Sequence, residues 1–299
     1  MKMEDIKKVL ILGAGTMGQQ IGFQCALHGY DVVLYDTTED VFENALIRIR
    51  KMASRMAGRG QITQEQARGA LMRITTTTDP EEAAREADIV SESVPEDPQL
   101  KGRVFAQFDK LCHPRTIFTT NTSTLVPSMF AKETGRPDRF AAFHFHDIRT
   151  NNVVDIMPHP GTSVETVDLI KDFARSIGQI AIVLNKEQNG YIFNTMLTKW
   201  FEAALTLAAN DVASVDDIDR AWMGVMSAPT GPFGIMDHIG LSTVWTISEY
   251  WANENNDPQA KTNADFVKRY VDKGLLGAKS GQGFYTYPDA LYRQPDFLK

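Results

Sequence analysis

The segment Val9-Leu10-Ile11-Leu12-Gly13-Ala14-Gly15-Thr16-Met17-Gly18 joins four apolar residues to a loop with three glycines. Glycines at this spacing permit a tight turn, a close approach of the backbone to a pyrophosphate, and packing of the next helix against the strand. The following segment, Thr16–His28, has helical character, and phosphates bind the N–H groups at such a helix N-terminus. The sequence therefore predicts a strand, a phosphate-binding loop and a helix.

The acid that ends the next predicted strand indicates which dinucleotide is bound. Asp31–Tyr35 is predicted to be that strand, and Asp36 follows it, 18 residues beyond Gly18. A carboxylate at about this distance accepts hydrogen bonds from the adenosine ribose hydroxyls. Thr37 and Thr38 come next, with no arginine nearby in sequence to bind a 2′-phosphate. We therefore expect the cofactor to be NAD rather than NADP.

Length and composition exclude several classes of protein. A chain of 299 residues is too long for one core of ordinary size, so two domains are expected. The net charge of −7 argues against nucleic acid as a partner, and no apolar run reaches the roughly 20 residues that span a bilayer. The N-terminus lacks the apolar stretch of a secretion signal, and Cys25 and Cys112 have apolar surroundings. We expect a cytoplasmic protein with buried thiols and no membrane partner.

The first 186 residues alternate short β-like runs with helical patterns, which is typical of a parallel sheet with crossover helices. The predicted strands are Lys8–Leu12, Asp31–Tyr35, Ile74–Thr77, Ile89–Ser93, Thr116–Thr119, Arg139–Phe145, Val153–Met157 and Ile180–Leu184. A helical insertion, Phe42–Met72, is broken near Gly58–Gly60 and resumes at a capping box of Thr63 and Gln66. The predicted fold class is α/β, a Rossmann-type doubly wound, mostly parallel sheet with an inserted helical pair.

The rest of the chain has helical spacing only. The predicted helices are Tyr191–Ala209, Ser214–Met226, Pro232–Tyr250 and Asp257–Lys273. We therefore expect an NAD-binding domain over residues 1–186 and an all-α domain for substrate binding and dimerisation over residues 187–299. Aromatic residues such as Trp200, Trp222, Trp245 and Trp251 exceed what four helices need for their own core. A homodimer interface and a well-filled core are both consistent with this excess.

A strongly basic segment lies within the predicted helical insertion. From Arg48 to Arg73 the chain has seven basic residues and one acid. Arg48, Lys51, Arg55 and Arg59 follow a spacing of three and four residues, which places them on one helical face. Such a face is either simply solvated or a site for a second polyanionic ligand, and its charge does not separate the two.

Two polar segments that accompany apolar strands are the candidates for chemistry. Asn121-Thr122-Ser123-Thr124 follows a strand, so Ser123 is expected just beyond a carboxyl strand end, where doubly wound sheets bind ligands. In Phe143-His144-Phe145-His146-Asp147, the two histidines share one face of a strand. A histidine near a nicotinamide is a candidate general base, because imidazole exchanges protons near neutral pH. A helix-capping serine and a purely structural histidine are the alternative interpretations.

Further motifs, spread over the whole chain, match one enzyme family in the same order. They are the glycine loop with Asp36, Glu92–Glu96 with Lys101, Asn121–Ser123, Arg139–Ala141 with His144, Asn189–Asn194, Gly231–Phe233 with Asp237, and Gly277–Tyr285. On these residues the chain resembles the 3-hydroxyacyl-CoA dehydrogenase family, which includes bacterial 3-hydroxybutyryl-CoA dehydrogenases. The resemblance implies an NAD-dependent oxidoreductase that transfers a hydride between NAD and a short-chain L-3-hydroxyacyl-CoA.

The resemblance also implies roles for individual residues. His144 matches the family's catalytic base, and the carboxylate that orients this base falls at Asp155. Ser123 and Asn194 match residues that hold the reacting oxygen and nearby substrate groups. A carboxylate on one ring nitrogen would fix the tautomer and leave the other nitrogen as the base.

Cofactor and coenzyme A contacts are implied in the same way. Glu96, Lys101 and Asn121 join the glycine loop and Asp36 as cofactor-binding positions. The family binds the coenzyme A phosphates with the segment that corresponds here to about Arg50–Arg68. Acyl-CoA contacts are therefore expected from Lys51, Arg55 and Arg59.

Two departures from the family pattern concern the substrate. The family usually has His-Phe-Phe-Asn-Pro at the base, whereas this chain has His144-Phe145-His146-Asp147-Ile148. The orienting acid is usually glutamate, whereas Asp155 is one methylene shorter and one residue nearer the base. The alternatives are a dehydrogenase of a free 3-hydroxy acid, as in the gulonate dehydrogenase and lens-crystallin branch, and a non-catalytic NAD-binding protein. His144, His146 and Asp147 have the types of ligand that a metal needs, but nothing else in the chain supports one, so no metal is expected.

Overall fold

The first part of the chain forms one mixed sheet of eight strands. The computed structural model describes the backbone of residues 1–299 and every side chain except that of Asn255. The strands are β1 (Lys8–Leu12), β2 (Asp31–Tyr35), β3 (Ile74–Thr77), β4 (Ile89–Glu92), β5 (Ile117–Thr120), β6 (Phe140–Phe145), β7 (Val153–Pro158) and β8 (Ile180–Val183). Their order is β3-β2-β1-β4-β5-β6-β7-β8, and only the β6–β7 pair is antiparallel. The predicted fold class is confirmed, and each strand begins and ends within one residue of its predicted bounds.

Helices cover both faces of this sheet. They are α1 (Thr16–Leu27), α2 (Asp40–Gly58), α3 (Gln64–Met72), α4 (Pro80–Ala84), α5 (Pro98–Asp109) and α6 (Val164–Ser176). Ile11 of β1 packs in the apolar layer that includes α1 and α6, whereas Leu10 packs in the layer that includes α4 and α5. Since alternate residues of a strand face opposite sides, a strand covered on both sides is apolar over its buried length, as Val9–Leu12 of β1 are.

The inserted helical pair α2 and α3 forms as predicted. The N–H of Gln66 donates to Thr63 Oγ1 at 3.0 Å, and the N–H of Thr63 donates to Gln66 Oε1 at 2.8 Å. This capping box starts α3 after the break that follows Gly58. Phe42, Ala45 and other apolar residues form the buried face of α2, so its basic residues are left on the exposed face.

The second part of the chain is all-helical. Its helices are α7 (Phe193–Ala209), α8 (Val215–Met226), α9 (Pro232–Ile239), α10 (Leu241–Asn255) and α11 (Pro258–Val271). The prediction of a single helix over Pro232–Tyr250 is wrong, because the chain turns at Gly240, where φ is +106°. Glycine adopts this conformation without a steric penalty. The N–H of Leu241 then donates to the carbonyl of Leu276 at 3.0 Å, outside both helices.

The chain divides into two compact units, Met1–Ile192 and Phe193–Lys299. This division lies six residues beyond the predicted domain boundary, and the substrate-binding and dimerisation roles of the second unit stay predictions. None of the helices in the described structure is long and apolar enough to cross a membrane. Cys25 and Cys112 are buried free thiols, as predicted, and burial raises the pKa of each to about 12.

Candidate active site

The loop after β1 has a backbone that requires its glycines. Gly13 has a φ of +101°, and a Cβ there would lie 2.8 Å from the carbonyl oxygen of Ser93. A Cβ on Gly18 would lie 2.0 Å from the carbonyl oxygen of Gly13, so α1 could not pack against the turn. A Cβ on Gly15, by contrast, would meet no atom within 4 Å. The first and third glycines are therefore required for packing, and the second leaves the loop open toward a ligand.

Asp36 connects the end of β2 to this loop. Its Oδ2 accepts a hydrogen bond from the N–H of Ala14 at 2.9 Å, and its Oδ1 accepts one from the N–H of Thr37 at 2.8 Å. Thr16 and Met17 begin α1, where backbone N–H groups have no acceptor within the helix. The half-buried carboxylate of Asp36 can accept hydrogen bonds from the ribose hydroxyls of a dinucleotide. The N–H groups at the start of α1 can bind its phosphates.

Four parallel strands bring the predicted site residues to one edge of the sheet. The glycine loop follows β1, Glu92 ends β4, Asn121 follows β5, and His144 lies near the end of β6. The strand order changes direction between β1 and β4, and doubly wound sheets bind ligands at this point. Asn121 also connects two of the strand ends, because its Oδ1 accepts a hydrogen bond from the N–H of Phe145 at 2.8 Å.

A buried ion pair supports this edge. Nζ of Lys101 lies 2.7 Å from Oε1 of Glu92, and the two side chains are 1% and 0% exposed. The same ammonium donates to the carbonyl of Val94 at 3.1 Å and lies 3.2 Å from Oε2 of Glu96. Burial raises the pKa of the Glu92 carboxyl more than Lys101 lowers it. The Lys101 ammonium thus has three acceptors within the protein, and its predicted cofactor contact stays a prediction.

Glu96 holds the segment that contains Ser123. Its Oε1 accepts hydrogen bonds from the Thr122 hydroxyl and, at 3.0 Å, from the N–H of Ser123. Partial burial raises the pKa of Glu96, but Lys101 and Thr122 lower it by more, so the carboxylate is ionised. The alternative interpretation of Ser123 as a helix cap is wrong, because the next helical turn starts only at Pro127.

A carboxylate with two histidines lies at the end of β6. The antiparallel register with β7 places His144 opposite Asp155. Oδ2 of Asp155 lies 3.2 Å from Nδ1 of His144 and 3.1 Å from Nε2 of His146. Burial of Asp155 raises its pKa, but the hydrogen bonds from the two histidines outweigh this effect and lower the pKa to about 2. The shorter acid of this chain therefore reaches His144 and is ionised at neutral pH.

This contact decides which nitrogen of His144 is available. An ionised carboxylate only accepts hydrogen bonds, so Nδ1 of His144 carries the hydrogen that is shared with Asp155. Nε2 then has a free lone pair and can accept a proton. Side chains of both residues are buried, at 6% and 3% exposure, so the contact is screened little by solvent.

Sequence reasoning missed Tyr191 as a residue of the site. Its ring lies 4.7 Å from the ring of His144 between centroids, and its side chain is buried. Tyr191 also has a φ of +55°, which is unusual for a bulky residue and marks a position that the surrounding structure constrains. Its place in the matching segment Asn189–Asn194 was the only signal, and that signal did not indicate a contact with His144.

The potential metal ligands in the structure differ from the set considered in the sequence, which was His144, His146 and Asp147. The carboxylate of Asp147 pairs with the guanidinium of Arg149 rather than with the histidines. Asp155 takes its place, and one ligand atom each from His144, His146 and Asp155 lie within 4.8 Å of one another. These atoms could hold a metal, but both histidine nitrogens already contact the carboxylate as hydrogen-bond partners.

Two groups of predicted substrate-binding residues belong to other segments of the sequence than the two histidines and Asp155. Asn194 belongs to the second unit, at the start of α7, and its predicted substrate contact stays a prediction. The basic residues of α2 are exposed, and none of them takes part in an ion pair among the described residues. Those that we predicted to contact coenzyme A are Lys51, Arg55 and Arg59.

The fold and the site together define an NAD-dependent dehydrogenase: a dinucleotide loop at the switch point of a doubly wound sheet, with a carboxylate-bound histidine at the same edge. The family model described as 3-hydroxyacyl-CoA dehydrogenase, NAD binding domain, matches residues 8–188. The model described as 3-hydroxyacyl-CoA dehydrogenase, C-terminal domain, matches residues 190–287. The chain therefore belongs to the 3-hydroxyacyl-CoA dehydrogenase family.

Individual relatives agree with this assignment. The chain is 32% identical over 286 residues to a probable 3-hydroxybutyryl-CoA dehydrogenase of Bacillus subtilis, covering 95% of this chain and 99% of that protein. A solved structure of a diketoreductase is 36% identical, with a TM-score of 0.88 and coverage of 94% and 99%. The structure of (S)-3-hydroxybutyryl-CoA dehydrogenase from Ralstonia eutropha is 28% identical, with a TM-score of 0.85 and coverage of 95% and 100%.

Proposed function

We propose that this protein oxidises a short-chain L-3-hydroxyacyl-CoA with NAD, or reduces the corresponding 3-ketoacyl-CoA with NADH. The observation that carries the proposal is the buried contact of 3.2 Å between His144 and the ionised Asp155. This contact argues against a non-catalytic protein, because it maintains a histidine with one free ring nitrogen at the ligand edge of the sheet.

In the proposed mechanism, Nε2 of His144 takes the proton of the substrate's 3-hydroxyl. Asp155 holds the imidazole in the required tautomer and stabilises the positive charge that it acquires. Bound NAD supplies the hydride acceptor. In the reverse direction, the protonated imidazole returns its proton to the oxygen of the reduced ketone.

Other residues are proposed to place the substrate and cofactor around this base. Ser123 and Asn194 hold the reacting oxygen and its neighbouring groups, as the family resemblance implies. Glu96 fixes the segment that presents Ser123, since its carboxylate accepts a hydrogen bond from the Ser123 N–H at 3.0 Å. Lys101 acts through Glu96, because its ammonium has protein acceptors for all of its protons.

The exposed basic face of α2 is the proposed site for the coenzyme A phosphates. Lys51 and Arg55 lie on that face, and Arg59 directly follows the end of α2. None of the three has a carboxylate partner among the described residues, and a polyanion would supply the missing negative charge. A substrate without coenzyme A has no use for these cations. The basic face therefore favours a thioester substrate over a free 3-hydroxy acid.

The first experiment is NADH oxidation, followed by absorbance, with acetoacetyl-CoA and free acetoacetate side by side. We expect turnover of the thioester only. A His144→Ala variant should lower kcat by about a hundredfold or more while NADH still binds, because proton transfer contributes about that much. Full activity of this variant would contradict the assignment of the base to His144.

A second candidate function is the reduction of a ketone that carries no coenzyme A. It is favoured by the 36% identity to the diketoreductase, a protein described as acting on dicarbonyl compounds. The polar His146 beside the proposed base, where the family usually has phenylalanine, also distinguishes this chain. Turnover of a free diketone at a rate equal to or above that of acetoacetyl-CoA would establish this second function in place of the first.

We also propose a homodimer that forms through the second unit. Several apolar side chains of this unit are exposed, among them Val225 at 83%, Val212 at 67% and Met196 at 60%. Large exposed apolar side chains in such numbers favour burial against a second copy of the chain. Light scattering on the purified protein should give twice the chain mass, and a monomer at micromolar concentration would contradict the dimer.

The proposed location is the cytoplasm. Cys25 and Cys112 are free and buried, which suits a reducing compartment. Cell fractionation should recover the protein with cytoplasmic markers. Recovery with an extracellular or membrane fraction would contradict this location.

A further inference from the structure

We infer that His146 is a positioning residue of this dehydrogenase, because it donates its Nε2–H to the same carboxylate oxygen that holds His144. The inference rests on the proposed function, in which His144 is the base. Both imidazoles meet Oδ2 of Asp155, with Nδ1 of His144 at 3.2 Å and Nε2 of His146 at 3.1 Å. Their rings are edge-on, with centroids 4.6 Å apart and planes 70° apart.

The backbone explains why two histidines reach one oxygen. Residues two apart on a strand face the same side, so His146 follows His144 on the face that points to Asp155. β6 ends at Phe145, so His146 begins the loop rather than continuing the sheet. The N–H of Ile148 donates to Oε1 of Gln20 at 3.0 Å and ties this loop to α1. His146 is therefore presented from a loop that is anchored to α1.

A second donor changes what Asp155 does for His144. With one donor, a carboxylate on a short side chain could rotate away from the base, whereas two donors on one oxygen restrict that rotation. The two N–H groups also share the negative charge of this oxygen, so each of them receives less of it. His146 thus fixes the direction of the His144 ring and moderates the pull of Asp155 on its proton.

The contacts that the structure gives for this pair come from two strands, the loop after β6, and Tyr191. Asp155 approaches from β7, His144 and His146 approach from β6 and the loop after it, and the Tyr191 ring covers the face of His144. The carboxylate of Asp147, the nearest acid along the chain, is turned toward Arg149. A change at His146 should therefore reach His144 through Asp155, because both rings contact the same carboxylate oxygen.

His146→Phe removes the donor and keeps a ring of similar shape. His144 then receives the full attraction of Asp155 and holds its proton more strongly. In the oxidation of 3-hydroxybutyryl-CoA, we expect kcat to fall about tenfold, as is usual when a supporting hydrogen bond is lost. The acidic limb of the kcat–pH profile should move upward by roughly 0.5–1 pH unit, because the protonated imidazole is stabilised more strongly by Asp155. The KM for NAD should not change.

His146→Gln is the matched control. The amide nitrogen of glutamine can occupy the place of the imidazole Nε2, so this variant should restore both kcat and the position of the acidic limb. A uniform loss of kcat in both variants, with the acidic limb unmoved, would overturn the inference, because it would show a merely structural role. Thermal unfolding and NADH fluorescence check that each variant is folded and binds cofactor.

A measurement on the protein without substrate separates this inference from the proposed function. Nitrogen-15 NMR at neutral pH should show His146 as the Nε2–H tautomer and His144 as the Nδ1–H tautomer. If His146 is the Nδ1–H tautomer, the inference is wrong even if His144→Ala is inactive. If His144→Ala retains full activity, the assignment of the base to His144 fails whichever tautomer is found.

The same three side chains could bind a metal, and a chelator tests this. We expect dialysis against EDTA to leave activity and the pH profile unchanged. Loss of activity with EDTA, reversed by Zn²⁺, would overturn the inference, because both histidine nitrogens would then be ligands rather than donors.

Discussion

The buried pair of Lys101 and Glu92 offers a quantitative test of how the ligand edge of the sheet is held. Lys101→Met keeps the volume of the aliphatic chain but removes the ammonium 2.7 Å from Glu92 Oε1. Glu92 is 0% exposed, so its charge would be left in the interior without its cation. Breaking a buried ion pair on one side typically costs about 3–5 kcal/mol. We therefore expect the first unit to lose about this much of its free energy of unfolding.

Scanning calorimetry measures this loss, provided that the transition of the first unit is recognised. NADH should raise that transition, because a ligand stabilises the unit that binds it. At about 2–4 °C per kcal/mol for a unit of this size, the transition should fall by roughly 6–20 °C. The loss should shrink as the pH is lowered, because burial raises the pKa of Glu92 and protonation removes the unpaired charge.

The double variant Glu92→Gln/Lys101→Met is the control, since it removes both charges. It should be more stable than Lys101→Met alone, because no buried charge is left without a partner. A single variant that loses less than about 1 kcal/mol, or a double variant less stable than the single one, would refute the reasoning. Either result would mean that Glu92 is already neutral in the native protein.

Three further predictions concern the cofactor, the substrate and the second unit. Asp36→Ala should weaken NADH binding by about tenfold or more in a fluorescence titration, since a charge-assisted hydrogen bond contributes about 1.5–3 kcal/mol; unchanged affinity would remove Asp36 from the ribose site. Neutralising Arg55 and Arg59 together should raise the KM for acetoacetyl-CoA and leave the KM for NADH unchanged, whereas equal effects on both would contradict a phosphate site on α2. Burial raises the pKa of Asp219 to about 6, above its ordinary 3.8, so the second unit should lose roughly 3 kcal/mol as the pH rises from about 4 to 6. Urea unfolding followed by tryptophan fluorescence reports this unit, which contains all four tryptophans, and Asp219→Asn should flatten the pH dependence if the reasoning is right.

Features that depend on nearby residues were predicted well from the sequence. The glycine loop follows from three positions within one turn, and the capping box of α3 follows from Thr63 and Gln66, three residues apart. The strands of the sheet were predicted to within one residue, because short runs of apolar and β-branched residues alternate with helical patterns. The break at Gly240 was missed because the apolar spacing continues across it, and a glycine within a helix costs only about 1 kcal/mol.

The site depended on contacts between residues that are distant in sequence. The family resemblance placed Asp155 beside His144, and adjacency in sequence grouped Asp147 with the two histidines as possible metal ligands. The register of β6 with β7 brings Asp155 to both histidines, and Arg149 pairs with Asp147. The three protein acceptors around Lys101, which come from Glu92, Val94 and Glu96, were likewise not predicted from the sequence. Local sequence thus determined the backbone, because turn and strand preferences act over a few residues. The partners of each charged group were determined by strand pairing and burial, which no short segment of sequence contains.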